Sequence, residues 1–124
     1  LSSSSAASDV YKRQDPNLLD LLYKTGTALE LCPLSNLATG SINNIMHHPV
    51  KRYFNKGLNI SINTDDPGMF HNSMAEEYAL LIHKFDFKRS EIKKLILNAV
   101  QSSWRPNKIG PSLIEKFTKN ENWL

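Results

Sequence analysis

Leu58-Asn59-Ile60-Ser61-Ile62-Asn63-Thr64-Asp65-Asp66-Pro67 decides the fold. Leu58, Ile60 and Ile62 are apolar while Asn59, Ser61 and Asn63 are polar. This period of two marks a strand with two unlike faces. Carried one step further, it places Asp65 on the side of Asn59, Ser61 and Asn63. Two adjacent carboxylates at a strand's end repel, and a fold keeps such a pair where a cation or a hydrogen-bond donor compensates. Pro67 ends the strand, since it lacks the N–H that a ladder needs. Taken alone, Asp-Asp-Pro favours an ordinary polar turn; the rest of the chain tips the balance.

The segment upstream has the same layout. Ala28 to Cys32 reads as a short strand, Pro33-Leu34-Ser35-Asn36 as its exit loop, and Thr39-Gly40-Ser41 as a turn. His47-His48-Pro49 then opens a helix to about Lys56, with Pro49 in the first position and Gly57 as the stop. Strand, helix, strand is a parallel crossover unit, and in such units the chemistry sits at the carboxyl ends of the strands. Working outward, Asp15-Pro16 starts a helix with Leu18, Leu19, Leu21 and Leu22 on one face and Gly26 at its end. Ser73 and Glu76 form a capping box, opening a helix with Tyr78, Leu81, Ile82 and Phe85 as its buried stripe. Ser90 caps the next, with Ile92, Leu95, Ile96 and Ala99 inward and Lys93 and Lys94 outward. Pro106 breaks the chain. Pro111 precedes a last helix carrying Leu113, Ile114 and Phe117, and the end frays unless Trp123 docks.

Composition excludes more than it assigns. The net charge is +3 over 124 residues, but the pairs Lys12-Arg13, Lys51-Arg52 and Lys88-Arg89 form no basic stripe interleaved with aromatics. No nucleic-acid surface is therefore expected, and no stretch is long enough to span a membrane. Cys32 is the single cysteine, so no internal disulfide can form, which fits a cytoplasmic protein with a buried, inert thiol. Leu1 to Gln14 is serine-rich, without apolar period, and lacks the layout of a signal peptide. It resembles translated adapter sequence, a non-native disordered tail before a domain expected over 15–124. The missing initiator methionine fits a truncated chain.

Glu30-Leu31-Cys32-Pro33-Leu34-Ser35-Asn36, then His48-Pro49, then Ile62-Asn63-Thr64-Asp65-Asp66-Pro67 resemble the carboxyl-terminal part of the adenosine deaminase family, the metal-dependent adenosine and AMP deaminases. Glu76-Glu77-Tyr78 and Asn98-Ala99 through Ser102-Ser103 fit that family's later helices, so the resemblance covers about residues 16 to 118. It implies an α/β fold, the carboxyl-terminal portion of a zinc-dependent (β/α)8 TIM barrel. That barrel is incomplete here, because one of this type usually needs about 250 residues. An incomplete barrel leaves an apolar sheet edge exposed and is expected to fold poorly alone.

The resemblance also implies roles. Asp65 would be a Zn2+ ligand, Asp66 would hydrogen-bond a purine ring nitrogen, and Ser35 and Asn36 would line the same mouth, chiefly by shaping it. The reaction implied is hydrolysis of adenosine or deoxyadenosine to inosine or deoxyinosine and ammonia, on a small purine nucleoside substrate. The family's His-x-His pair, its later histidines and its catalytic glutamate have no counterpart here. His47 and His48 are adjacent and point apart, His71 reads as a solvated loop residue, and His83 as a helix-surface one. No catalytic residue is thus expected in this chain, which alone should be inactive. Adenine and AMP deaminases of the same family are the nearest alternatives. Asn63-Thr64 with Asn36-Leu37 favours adenosine, whereas Phe70-His71 is shared with the AMP enzyme. An inactive interaction module, folded without zinc, is the alternative from another class.

Overall fold

The computed structural model describes residues 15–104 and 110–120. The tail expected over 1–14, the break at Pro106 and the docking of Trp123 lie outside the described residues.

Asp15 accepts hydrogen bonds from the amides of Asn17 and Leu18 and opens α1 (Pro16–Thr25). Those two amides have no partner inside the helix, so the cap satisfies them. Gly26, at φ 64°, closes it. Leu19 and Leu22 are buried, but Leu21 is 56% exposed, so the apolar face is narrower than four leucines suggested.

β1 (Leu29–Leu31) comes next, and after it a helix stands where the sequence suggested a loop. In α2 (Pro33–Ala38), proline takes the first turn, where its missing N–H leaves nothing unsatisfied. The amides of Asn36 and Thr39 bond the carbonyls of Cys32 and Ser35. A 3-10 turn (Ile45–His47) leads to α3 (Val50–Asn55), with Pro49 as the cap residue rather than the first helical one.

Gly57 turns the chain at φ 81° into β2 (Ile60–Ile62). A Cβ on Gly57 would stand 3.2 Å from Tyr23 Cε2. Gly57→Ala is expected to destabilise by about 1–2 kcal/mol from the left-handed backbone alone, read as a lowered denaturation midpoint.

β2 pairs with β1 in parallel, Leu29 opposite Ile60 and Leu31 opposite Ile62. The expected crossover is present, but the two-faced reading of β2 is not. Ser61 is 3% exposed and its neighbours are buried, so both faces are covered, as in sheets clothed by helices. The strand also stops at Ile62, and Asp65 has φ 61°. Its direction is therefore set by a left-handed turn and not by the phase of the strand.

The rest is helical: α4 (Pro67–Phe70), α5 (Met74–Phe85), α6 (Arg89–Ser102) and α7 (Gly110–Lys119). Ser73 Oγ accepts from the Glu76 amide as the expected cap, but Glu76 Oε2 accepts from the Ser73 hydroxyl rather than from its backbone amide, so only half of the expected capping box forms. In α5, Ile82 is 41% exposed, and the buried face runs through Glu77, Leu81 and Phe85. α6 begins before Ser90. Lys88 is its cap residue, and Glu91 Oε2 accepts from the Lys88 amide at 2.8 Å. α6 lies against β2, and Asn98 Nδ2 donates to the Ile60 carbonyl at 2.9 Å.

One core gathers Leu19, Leu31, Val50, Tyr53, Ile60, Ile62, Leu81 and Leu95. The sheet among the described residues has two strands and closes no barrel.

Candidate active site

Parallel pairing puts the carboxyl ends of β1 and β2 side by side. The Asn63 amide donates to the Leu31 carbonyl at 2.9 Å, so the register holds one residue beyond the strand. The segments leaving the two strands are thus brought together: the first turn of α2 on one side, Thr64 to Pro67 on the other.

Ser35 Oγ donates to Asp65 Oδ2 at 2.7 Å. Bonds of this kind to a charged acceptor are short and about twice as strong as neutral ones. Ser35 is 1% exposed whereas Asp65 is exposed, so a buried hydroxyl holds a solvent-facing carboxylate from beneath. Aspartate is among the few residues that tolerate the left-handed conformation found here.

Asp66 sits next to it as the cap of α4, its Oδ1 accepting from the Met69 amide at 2.9 Å. Asn36 goes elsewhere. It is buried, and its side-chain amide lies 3.1 Å from His48 Nε2. His48 Nδ1 in turn accepts from the Val50 amide at 3.2 Å. The sequence-based helix-entry role of His48 is what the structure contains, with Asn36 bracing it. Ser35 therefore meets Asp65, while Asn36 meets His48. Cys32, expected buried, is half-buried at the cap position of α2.

Sequence reasoning missed the residue behind this loop. Glu77 is 0% exposed; its Oε1 accepts from Asn72 Nδ2 at 3.0 Å and its Oε2 from the Leu34 amide at 3.4 Å. Burial pushes its carboxyl up to about 7, against the two hydrogen bonds that favour the charged form. A signal was available: Glu77 stands four and eight residues before the buried Leu81 and Phe85, on the inward face.

Beside the loop, Leu34, Leu37, Phe70, His71, Leu80 and His83 line a groove of about 580 Å³. His71 and His83 are both exposed.

Among the described residues no three of His, Cys, Asp or Glu come together as a metal-holding group. A catalytic zinc takes three protein ligands and keeps an open position. Asp65, an exposed carboxylate held through one oxygen, fits a single ligand of a shared set. The described residues fit one ligand, not a centre.

The family model described as adenosine deaminase matches residues 9–120. An adenosine deaminase from Plasmodium gallinaceum is 33% identical over 100 residues, which are 81% of this chain and 28% of that protein. An adenine deaminase from Rhizobium meliloti is 34% identical over 91 residues, 73% of this chain and 28% of that protein. The chain thus spans less than a third of the length of these relatives. Among solved structures, an adenine deaminase from Arthrobacter aurescens superposes with a TM-score of 0.83 at 25% identity, covering 88% of this chain and 33% of that one.

Proposed function

This chain belongs to the adenosine deaminase family and has the fold of part of its (β/α)8 barrel, and from that premise we propose that residues 15–124 supply the metal-ligand and substrate loop of a zinc-dependent purine deaminase. The rest of the barrel would bring the other ligands and the catalytic glutamate. The reaction proposed is hydrolytic loss of the 6-amino group of adenosine or deoxyadenosine, with no nucleic-acid or membrane partner, in the cytoplasm. Among the described residues no helix is long and apolar enough to cross a membrane.

One observation carries the proposal: the 2.7 Å bond from Ser35 Oγ to Asp65 Oδ2, made where the carboxyl ends of two parallel strands meet. Barrel enzymes keep their sites at that end. Asp65 would ligate the metal, with Ser35 restraining the carboxylate. Zinc, when bound, lowers the pKa of its water toward neutrality. Asp66 would orient the purine. Its Oδ1 is engaged by the Met69 amide, which leaves Oδ2 for a ring nitrogen. Since a carboxylate only accepts, that contact needs a proton on the ring nitrogen or on Asp66 itself. Asn36 would act at one remove, by bracing the entry to α3 through His48.

Relatives with adenosine and adenine in their names are about equally similar to this chain. Asn63-Thr64 and Asn36-Leu37 favour adenosine. The test is ammonia release by the full-length protein, meaning a polypeptide with the complete barrel, from adenosine, adenine and AMP. Adenosine is expected to give the highest kcat/KM. Preference for adenine or AMP would reassign the substrate, and release from none of the three would overturn the proposal.

A further inference from the structure

We propose that Glu77 is a positioning residue of this site, forming with Asn72 a clip that holds the Asp65 loop against the first turn of α2. The metal reading of Asp65 gives the clip its purpose, but its geometry stands without that reading.

The clip joins three segments far apart in sequence. Glu77 Oε2 accepts from the Leu34 amide, and Leu34 adjoins Ser35. Glu77 Oε1 accepts from Asn72 Nδ2, which also donates to the Thr64 carbonyl at 3.1 Å, and Thr64 adjoins Asp65. Both partners of the Ser35–Asp65 bond are thus held from the neighbouring residue, through one fully buried carboxyl.

The donors of Asn72 are both used, while its Oδ1 is buried without a partner. The Asn72 amide nitrogen has two hydrogens, one for Thr64 and one for Glu77. Glu77 offers one oxygen to each donor it meets. A residue on the inward face of α5, in line with Leu81 and Phe85, would ordinarily be apolar. Burying a carboxyl there is unfavourable unless its partners are in place. Here those partners all belong to the two segments that carry Ser35 and Asp65.

Glutamine at position 77 keeps the shape but has one accepting oxygen, so its amide nitrogen would face the other donor. Hydrogen–deuterium exchange of the full-length protein reads the consequence by segment. Glu77→Gln is expected to speed exchange at least tenfold over both 33–38 and 63–72, with α1 unchanged. Asn72→Ala is expected to loosen 63–72 alone, because the Leu34 bond to Glu77 survives it. Unchanged exchange in both segments for either variant, or equal loss of protection in α1, would overturn the proposal. Should Glu77→Gln fail to fold, Asn72→Ala decides by the same criterion. Failure of the metal reading looks different: Asp65 variants would keep zinc and turnover while these exchange changes remained.

Discussion

Replacing Asp65 in the full-length protein is expected to abolish turnover and to remove bound zinc. The choice of variant matters. Asp65 lies at φ 61°, where alanine adds backbone strain of about 1–2 kcal/mol. Asparagine tolerates that region and removes the charge with little change of shape. Asp65→Asn should therefore lose activity with its fold retained, and Asp65→Ala should lose both activity and some stability. Ser35→Ala provides the scale. It removes the 2.7 Å bond that restrains the carboxylate, and loss of such a supporting contact at a metal site lowers affinity or activity roughly 10–100-fold. Loss of the ligand itself should far exceed that. Ammonia release and metal content, measured together on the three variants, check the ordering. Full turnover in Asp65→Asn would make the ligand assignment wrong.

The second large effect is on stability against pH. Burial raises the Glu77 carboxyl from its ordinary 4.5 to about 7 in the folded protein. Between those values the folded state binds more protons than the unfolded one, so the free energy of unfolding falls as pH rises. The contribution of Glu77 is fully present below about 4.5 and lost as pH passes about 7, a difference of up to about 3 kcal/mol. Glu91 titrates in a different window. Burial raises its carboxyl, but the hydrogen bonds from Lys51 and Lys88 outweigh burial and leave it below the ordinary value. Its contribution is therefore present above the ordinary carboxylate range and lost as pH falls through the lowered pKa. Denaturation midpoints at about pH 5 and about pH 8 separate the two carboxyls when wild type is compared with Glu77→Gln. The decline toward pH 8 should vanish in the variant. A decline that persists there would assign it to another group.

Local features of the fold were legible because their causes are local. Asp15 and Ser73 cap their helices as their side chains dictate, and Gly26 and Gly57 stop the chain at positive φ. The two strands and their parallel crossover were legible from alternation and spacing. Features set by tertiary neighbours were not. Ser61 looked like the polar face of a half-buried strand, but both sides of β2 are buried. Pro33-Leu34-Ser35-Asn36 looked like a loop because its helix, Pro33–Ala38, is only six residues long and starts with proline. Ser90 lost the capping role to Lys88 because Glu91 reaches the Lys88 amide.

The candidate site was read with the same mixture. Asp65 was singled out by its place after a strand, although the strand's phase does not reach it. Its bond to Ser35 spans 30 positions and depends on strand pairing, which neither residue reveals alone. In the sequence Glu77 stands out only within Glu76-Glu77-Tyr78, because a helical glutamate is usually a solvated one. Its phase with Leu81 and Phe85 points inward.

In the proposed enzyme this region holds one ligand of a metal site completed by the rest of the barrel. Zinc-dependent ammonia release from adenosine, measured side by side for the 124-residue chain and the full-length protein, tests it most directly. The expected result is turnover by the full-length protein and none above background by the chain alone. Zinc-dependent turnover by the chain alone, or none by the full-length protein, would contradict it.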